Sequence, residues 1–172
     1  MCRMELYVLR HGIAVELGEE GAETDFDRRL SRAGIRKTRA AVRGLKMMKC
    51  SPGRVVSSPL PRAWETAQIA ATELGCDSEV APSDLLKPGV PVAKTRDWVI
   101  EQEVERGMML VGHMPGLARL VSYLLAGDDR VEIVLKKSGA CLLTRTIARR
   151  RAPYRLDWLL QPGQLRTFAE MD

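Results

Sequence analysis

The chain has 172 residues, 45% of them hydrophobic and 5% aromatic, with a formal net charge of +5. That is enough to bury the core of one domain, so residues 1–172 are expected to form a single one. No run approaches the roughly 18 apolar residues of a membrane span, the four cysteines form no CxxC pair, and the few aromatics make no stacking platform for bases. Membrane spans, disulfide frameworks, zinc knuckles and nucleic-acid binding are thereby set aside, and a reducing cytoplasm is the expected location.

Met1-Cys2-Arg3-Met4-Glu5 leads straight into the apolar run Leu6 to Leu9, which reads as a buried strand and not as a targeting segment. The acidic, glycine-bearing stretch from Gly18 to Asp27 has no periodicity and reads as a loop. Ser31 then suits the N-cap of a helix running to about Met48. Arg54 to Ser57 reads as a second strand, and after Pro59 and Pro61 the good helix formers from Ala63 to Leu74 stop at Gly75. Glu79 to Pro91 carries three prolines and a glycine and reads mostly as loop, and Val92 to Arg106 has helical spacing.

Met108 to Val111 reads as a third strand. It passes through the turn Gly112 to Gly116 into a helix from Leu117 to Leu125 that ends near Gly127. Val131 to Leu135, Ala140 to Ile147 and Tyr154 to Leu159 read as three further strands joined by short turns. Strands alternating with helices imply an α/β fold. Its central sheet is expected to be mostly parallel with helices on both faces, and the last strands to add an antiparallel C-terminal edge.

Each of the first three strands hands over to a loop bearing an ionisable residue: Arg10 and His11 with Gly12, then Arg62, then His113. In open α/β sheets ligands bind beyond the carboxyl ends of the strands, so these residues can meet although they are distant in sequence. Two arginines beside the chain's two histidines suit a phosphoryl group, because guanidinium forks match phosphate oxygens bidentately. Gly12 reads as a turn glycine.

Leu9-Arg10-His11-Gly12 resembles the RHG signature of the histidine phosphatases. Ser57-Ser58-Pro59-Leu60-Pro61-Arg62-Ala63 with Thr66-Ala67 resembles their second arginine motif, and Val111-Gly112-His113 their second histidine motif, all in family order and spacing. Similarity to the SixA-type phosphohistidine phosphatases extends through Asp27-Arg28-Arg29-Leu30-Ser31 with Gly34, Leu135-Lys136-Lys137-Ser138-Gly139 and Trp158-Leu159-Leu160-Gln161-Pro162. The resemblance implies a phosphoglycerate mutase-like fold and a phosphatase that needs neither metal nor cofactor. It makes His11 the nucleophile, with Arg10, Arg62 and His113 holding the phosphate oxygens and Gly12 at the binding loop. Such a nucleophile must be neutral, with an acceptor fixing the proton on its other ring nitrogen, and the sequence does not name that acceptor.

Larger members of the family place an acid in an inserted helical region, which here is at most minimal, and Asp84 is the nearest candidate for that acid. An imidazole leaving group tolerates a missing acid better than an alkoxide does. The expected partner is thus a signalling or phosphotransfer protein bearing phosphohistidine. A small phosphate ester, or a non-catalytic module that binds phosphorylated partners, is the alternative. Asp25, Asp27 and Arg29 read as a salt-linked loop near the pocket, Lys136 and Lys137 as an exposed edge, and Arg149 to Arg151 as a solvated run or a docking site for an acidic domain. The methionines read as core filler.

Overall fold

Six strands lie side by side in the order β3-β2-β4-β1-β5-β6. They are β1 (Glu5–Arg10), β2 (Arg54–Ser57), β3 (Ala81–Pro82), β4 (Met108–Gly112), β5 (Ala140–Arg145) and β6 (Tyr154–Leu160). The computed structural model describes residues 4–76, 78–102, 106–145 and 154–170. β3, β2, β4 and β1 are mutually parallel, and β5 and β6 add the expected antiparallel edge. Helices α1 (Arg32–Met47), α2 (Pro61–Leu74), α3 (Val92–Glu101), α4 (Gly116–Ala126) and α5 (Pro162–Ala169) complete the fold. Among the described residues no helix is long and apolar enough to cross a membrane.

The apolar runs of β1 and β4 are continuous because both faces of the sheet are covered. Leu6, Val8, Met108 and Leu110 pack with α3 and α4, through Val99, Leu117, Leu120 and Leu124. Tyr7, Leu9, Met109 and Val111 pack with α1, α2 and α5, through Ala41, Leu45, Ala67 and Leu165. Fully burying a leucine stabilises by roughly 1.5–3 kcal/mol, so these two layers hold the carboxyl ends of β2, β4 and β1 in fixed register. Ser31 caps α1 as expected, its side chain accepting the Gly34 N–H.

Several expectations need correction. Val131–Leu135 is not a strand. Its burial alternates, with Ile133 and Leu135 inside and Val134 out, but side chains serve its backbone in place of a neighbouring strand. Arg10 donates to the Leu135 oxygen and Gln161 to the Val134 oxygen, and the Gln161 side chain also accepts the Lys136 N–H. α2 starts two residues earlier than read, with Pro61 in its first turn. α3 ends at Glu101, short of Arg106, and Gln102 is extended. The 79–91 loop contains β3 and a short 3-10 turn at Asp84–Leu86. α5 was not anticipated, although Gln164 three residues after Gln161 is a capping signal, and its side chain does accept the Gln161 N–H at 2.9 Å. Residues 146–147 of the predicted fifth strand and the Arg149–Arg151 run lie outside the described residues.

Candidate active site

β4 lies between β2 and β1, so the loops leaving all three strands emerge together. Backbone hydrogen bonds sew them to one another: His11 N–H donates to the Gly112 oxygen at 3.1 Å and Ser58 N–H to the Val111 oxygen at 2.9 Å. The His11 and His113 rings end 5.0 Å apart, centroid to centroid.

His11 Nδ1 is 2.7 Å from the carbonyl oxygen of Gly12. A carbonyl only accepts, so Nδ1 carries the ring proton and Nε2 keeps its lone pair. The acceptor that the sequence did not name is thus the backbone one residue on. Burial pulls the His11 pKa down to about 4; the Gly12 hydrogen bond opposes this, and the charges of Arg62, Arg10 and Lys137 add to it. Gly12 is held in turn by Thr66, whose Oγ1 accepts its N–H at 3.0 Å and donates to the Arg62 oxygen at 2.7 Å. A Cβ on Gly12 would lie 2.2 Å from Thr38 Oγ1 and 3.3 Å from Ser138 Oγ. The glycine is required there by close approach, not by a turn conformation.

His113 Nε2 is 2.9 Å from Ser58 Oγ, which also accepts the Leu60 N–H at 3.4 Å. When Ser58 donates its proton to Nε2, the His113 proton sits on Nδ1. That nitrogen is buried without a partner among the described residues, and so is Arg10 Nε. Leaving a buried donor unsatisfied costs about 1–3 kcal/mol, and the oxygens of a bound phosphoryl group would satisfy both. Burial, followed by the neighbouring His11, pulls the His113 pKa down to about 3.

Arg62 is only 5% exposed. Its Nη2 donates to Asp25 Oδ2 at 2.8 Å and its Nη1 to the Asp25 backbone oxygen. The loop between β1 and α1 brings Asp25 there by turning back on itself: Ala14 bridges Leu30, and Arg28 donates to the Val15 oxygen and to Asp25 Oδ1. Burial works to raise the Asp25 pKa, but Arg28 and Arg62 hold the carboxyl below its ordinary value.

The geometry therefore collects Arg10, His11, Gly12, Arg62 and His113, while Asp84 stands in the 3-10 turn after β3. Asp84 pairs with Lys87 at 2.8 Å with 79% of its side chain exposed. Ser58 and Thr66 lie within the recognised motif, but nothing in their spacing marks the bonds they make. Lys137, read as an exposed edge, lies close enough for its charge to bear on His11.

The family model for the histidine phosphatase superfamily (branch 1) matches residues 6–87, a span that contains both arginines and His11. An uncharacterized protein of Picosynechococcus sp. is 34% identical over 154 residues, covering 87% of this chain and 90% of its own. Among solved structures, the protein histidine phosphatase SixA complexed with tungstate superposes with a TM-score of 0.81 at 23% identity, covering 94% of this chain and 99% of its own. A SixA protein of Agrobacterium tumefaciens gives 0.75 at 20% identity, with 91% and 97% covered. A mycobacterial glucosyl-3-phosphoglycerate phosphatase shares the fold at a TM-score of 0.67 and 22% identity, with 90% and 98% covered. The chain belongs to the histidine phosphatase superfamily. It is a hydrolase of that superfamily built on the SixA-like fold.

Proposed function

We propose that this chain hydrolyses protein phosphohistidine through a phosphoenzyme on His11. The reading rests chiefly on the hydrogen bond from His11 Nδ1 to the Gly12 oxygen, which leaves Nε2 unprotonated and nucleophilic beside two arginines. In the first step Nε2 attacks phosphorus and the bond from phosphorus to the substrate's imidazole nitrogen breaks. That imidazole, already protonated on its other nitrogen, leaves neutral. In the second step water attacks phosphorus, the bond to His11 Nε2 breaks, and inorganic phosphate departs. Arg10, Arg62 and the Nδ1–H of His113 offset the charge on the phosphoryl oxygens in both steps.

The choice of leaving group follows from the carboxylates. Asp84 is turned outward to Lys87, and Asp25 is held ionised by Arg28 and Arg62, which makes it a poor proton donor. An alkoxide needs an acid, whereas an imidazole with a conjugate-acid pKa of about 6.5 does not. Rapid-quench labelling with a phosphorus-32 phosphohistidine protein tests the reading. Acid-labile, base-stable label should appear on the wild-type chain and be absent from His11→Ala. If the folded wild type forms no label and releases no phosphate, the ester and binding-module alternatives return.

A further inference from the structure

A groove of about 270 Å³ runs between the segment leading into α3 and the start of α4, and it shares His113 with the candidate active site. Its walls are apolar, with Leu85, Leu86, Val90, Val92 and Met114 among them, and Thr95 ties one wall together by donating to the Leu85 oxygen at 2.8 Å. No acidic residue lines it, whereas Lys87 and Arg119 do. Lys87 is paired with Asp84. Arg119 is exposed and makes no side-chain hydrogen bond or ion pair with another described residue.

Two helices begin at this groove, α3 after Pro91 and α4 after Pro115, and neither has a side-chain cap. Their amino ends add positive potential to that of Arg119. His113, 5% exposed, lines the groove as well, so a substrate whose phosphoryl group meets its Nδ1 brings the flanking residues to the groove's mouth. The space is smaller than the roughly 300–1,000 Å³ of sites that enclose a small molecule, and it fits one or two side chains of a larger partner. We infer that this groove seats acidic residues flanking the phosphohistidine of a protein substrate, with Arg119 as the cation that selects them. The inference rests on the phosphohistidine reading and adds to it a specificity determinant.

The test uses two synthetic phosphohistidine peptides of equal length, one with Asp and Glu around the phosphohistidine and one with Asn and Gln. KM is measured for the wild-type chain and for Arg119→Glu, an exposed position where substitution spares the core. The wild type should favour the acidic peptide by about three- to tenfold in KM, and Arg119→Glu should bring the ratio to one or invert it. Hydrolysis of both peptides with no preference, or an equal change in both KM values on Arg119→Glu, would overturn the groove's role and leave the phosphohistidine reading standing. Hydrolysis of neither peptide would overturn both. An Arg119→Glu effect on free phosphoserine alone would replace the protein segment with a small carboxylate-bearing ester.

Discussion

Asp25 reaches from the loop between β1 and α1 to hold Arg62, its Oδ2 2.8 Å from Nη2 and its backbone oxygen accepting from Nη1. A carboxylate thus occupies the guanidinium that the proposed chemistry needs, and a phosphoryl oxygen must displace or share it. Asp25→Asn keeps the shape and removes the charge. The competitive inhibition constant of the product, inorganic phosphate, should fall by about three- to tenfold, a modest change because the Asp25 side chain is 53% exposed and partly screened. A rise in that constant, measured at fixed ionic strength, would show instead that Asp25 holds Arg62 in its binding orientation.

The two imidazoles set opposite pH trends for catalysis and stability. With a pKa of about 4, His11 stays neutral down to pH 5, where an ordinary histidine of pKa about 6.5 would be only about 3% neutral. The single-turnover rate of phosphoenzyme formation at saturating substrate should therefore not fall between pH 7 and pH 5, and should rise as the substrate's imidazole becomes protonated. Stability moves the other way. The unfolded chain takes up protons as pH falls through about 6.5, while the folded chain resists until about 4 at His11 and about 3 at His113. The native state is thus stabilised above pH 6.5 and loses on the order of 2 kcal/mol per imidazole by pH 5. Denaturant melts at pH 7 and pH 5 should show that loss, and it should be smaller in His113→Gln. A melt as steep in His113→Gln as in the wild type would place the titration elsewhere.

Asp84→Asn separates sequence position from geometry. With its carboxylate at the surface against Lys87, the substitution should change kcat by less than about twofold on both a phosphohistidine peptide and β-glycerophosphate, since general acid catalysis is normally worth about 100-fold or more. A loss confined to the glycerol ester would mean that Asp84 turns inward and protonates the alkoxide.

What could be read beforehand follows from which interactions leave a trace in residue type. Buried parallel strands show as unbroken apolar runs, so β1, β2 and β4 were legible at Leu6, Val55 and Met108, and the convergence of His11, Arg62 and His113 follows from strand ends. The acceptor of the His11 proton left no trace, because it is a backbone carbonyl. Asp25 reads as part of a salt-linked loop near the pocket, but its grip on Arg62 depends on how the loop folds back from Ala14 to Leu30. Val131–Leu135 misled because alternating burial reports one covered face and not the presence of a neighbouring strand. There the Arg10 and Gln161 side chains took the ladder's place.

Gly44 carries a packing constraint of the same silent kind. It sits late in α1, where glycine is about 1 kcal/mol poorer than alanine on propensity alone, so Gly44→Ala would stabilise an isolated helix. In the folded chain a Cβ there would lie 1.8 Å from the Leu165 oxygen and 2.7 Å from its carbonyl carbon. These are backbone atoms of α5 that cannot rotate away. Leu165 is fully buried among Ala41, Leu45 and Trp158, so relief requires α5 to move away from α1. Gly44→Ala should therefore cost about 1–3 kcal/mol, as overpacking does, and should expose α5 to proteolysis while leaving α1 intact. A variant as stable as the wild type, or more so, would show that α5 can shift along α1 without losing the Leu165 contact.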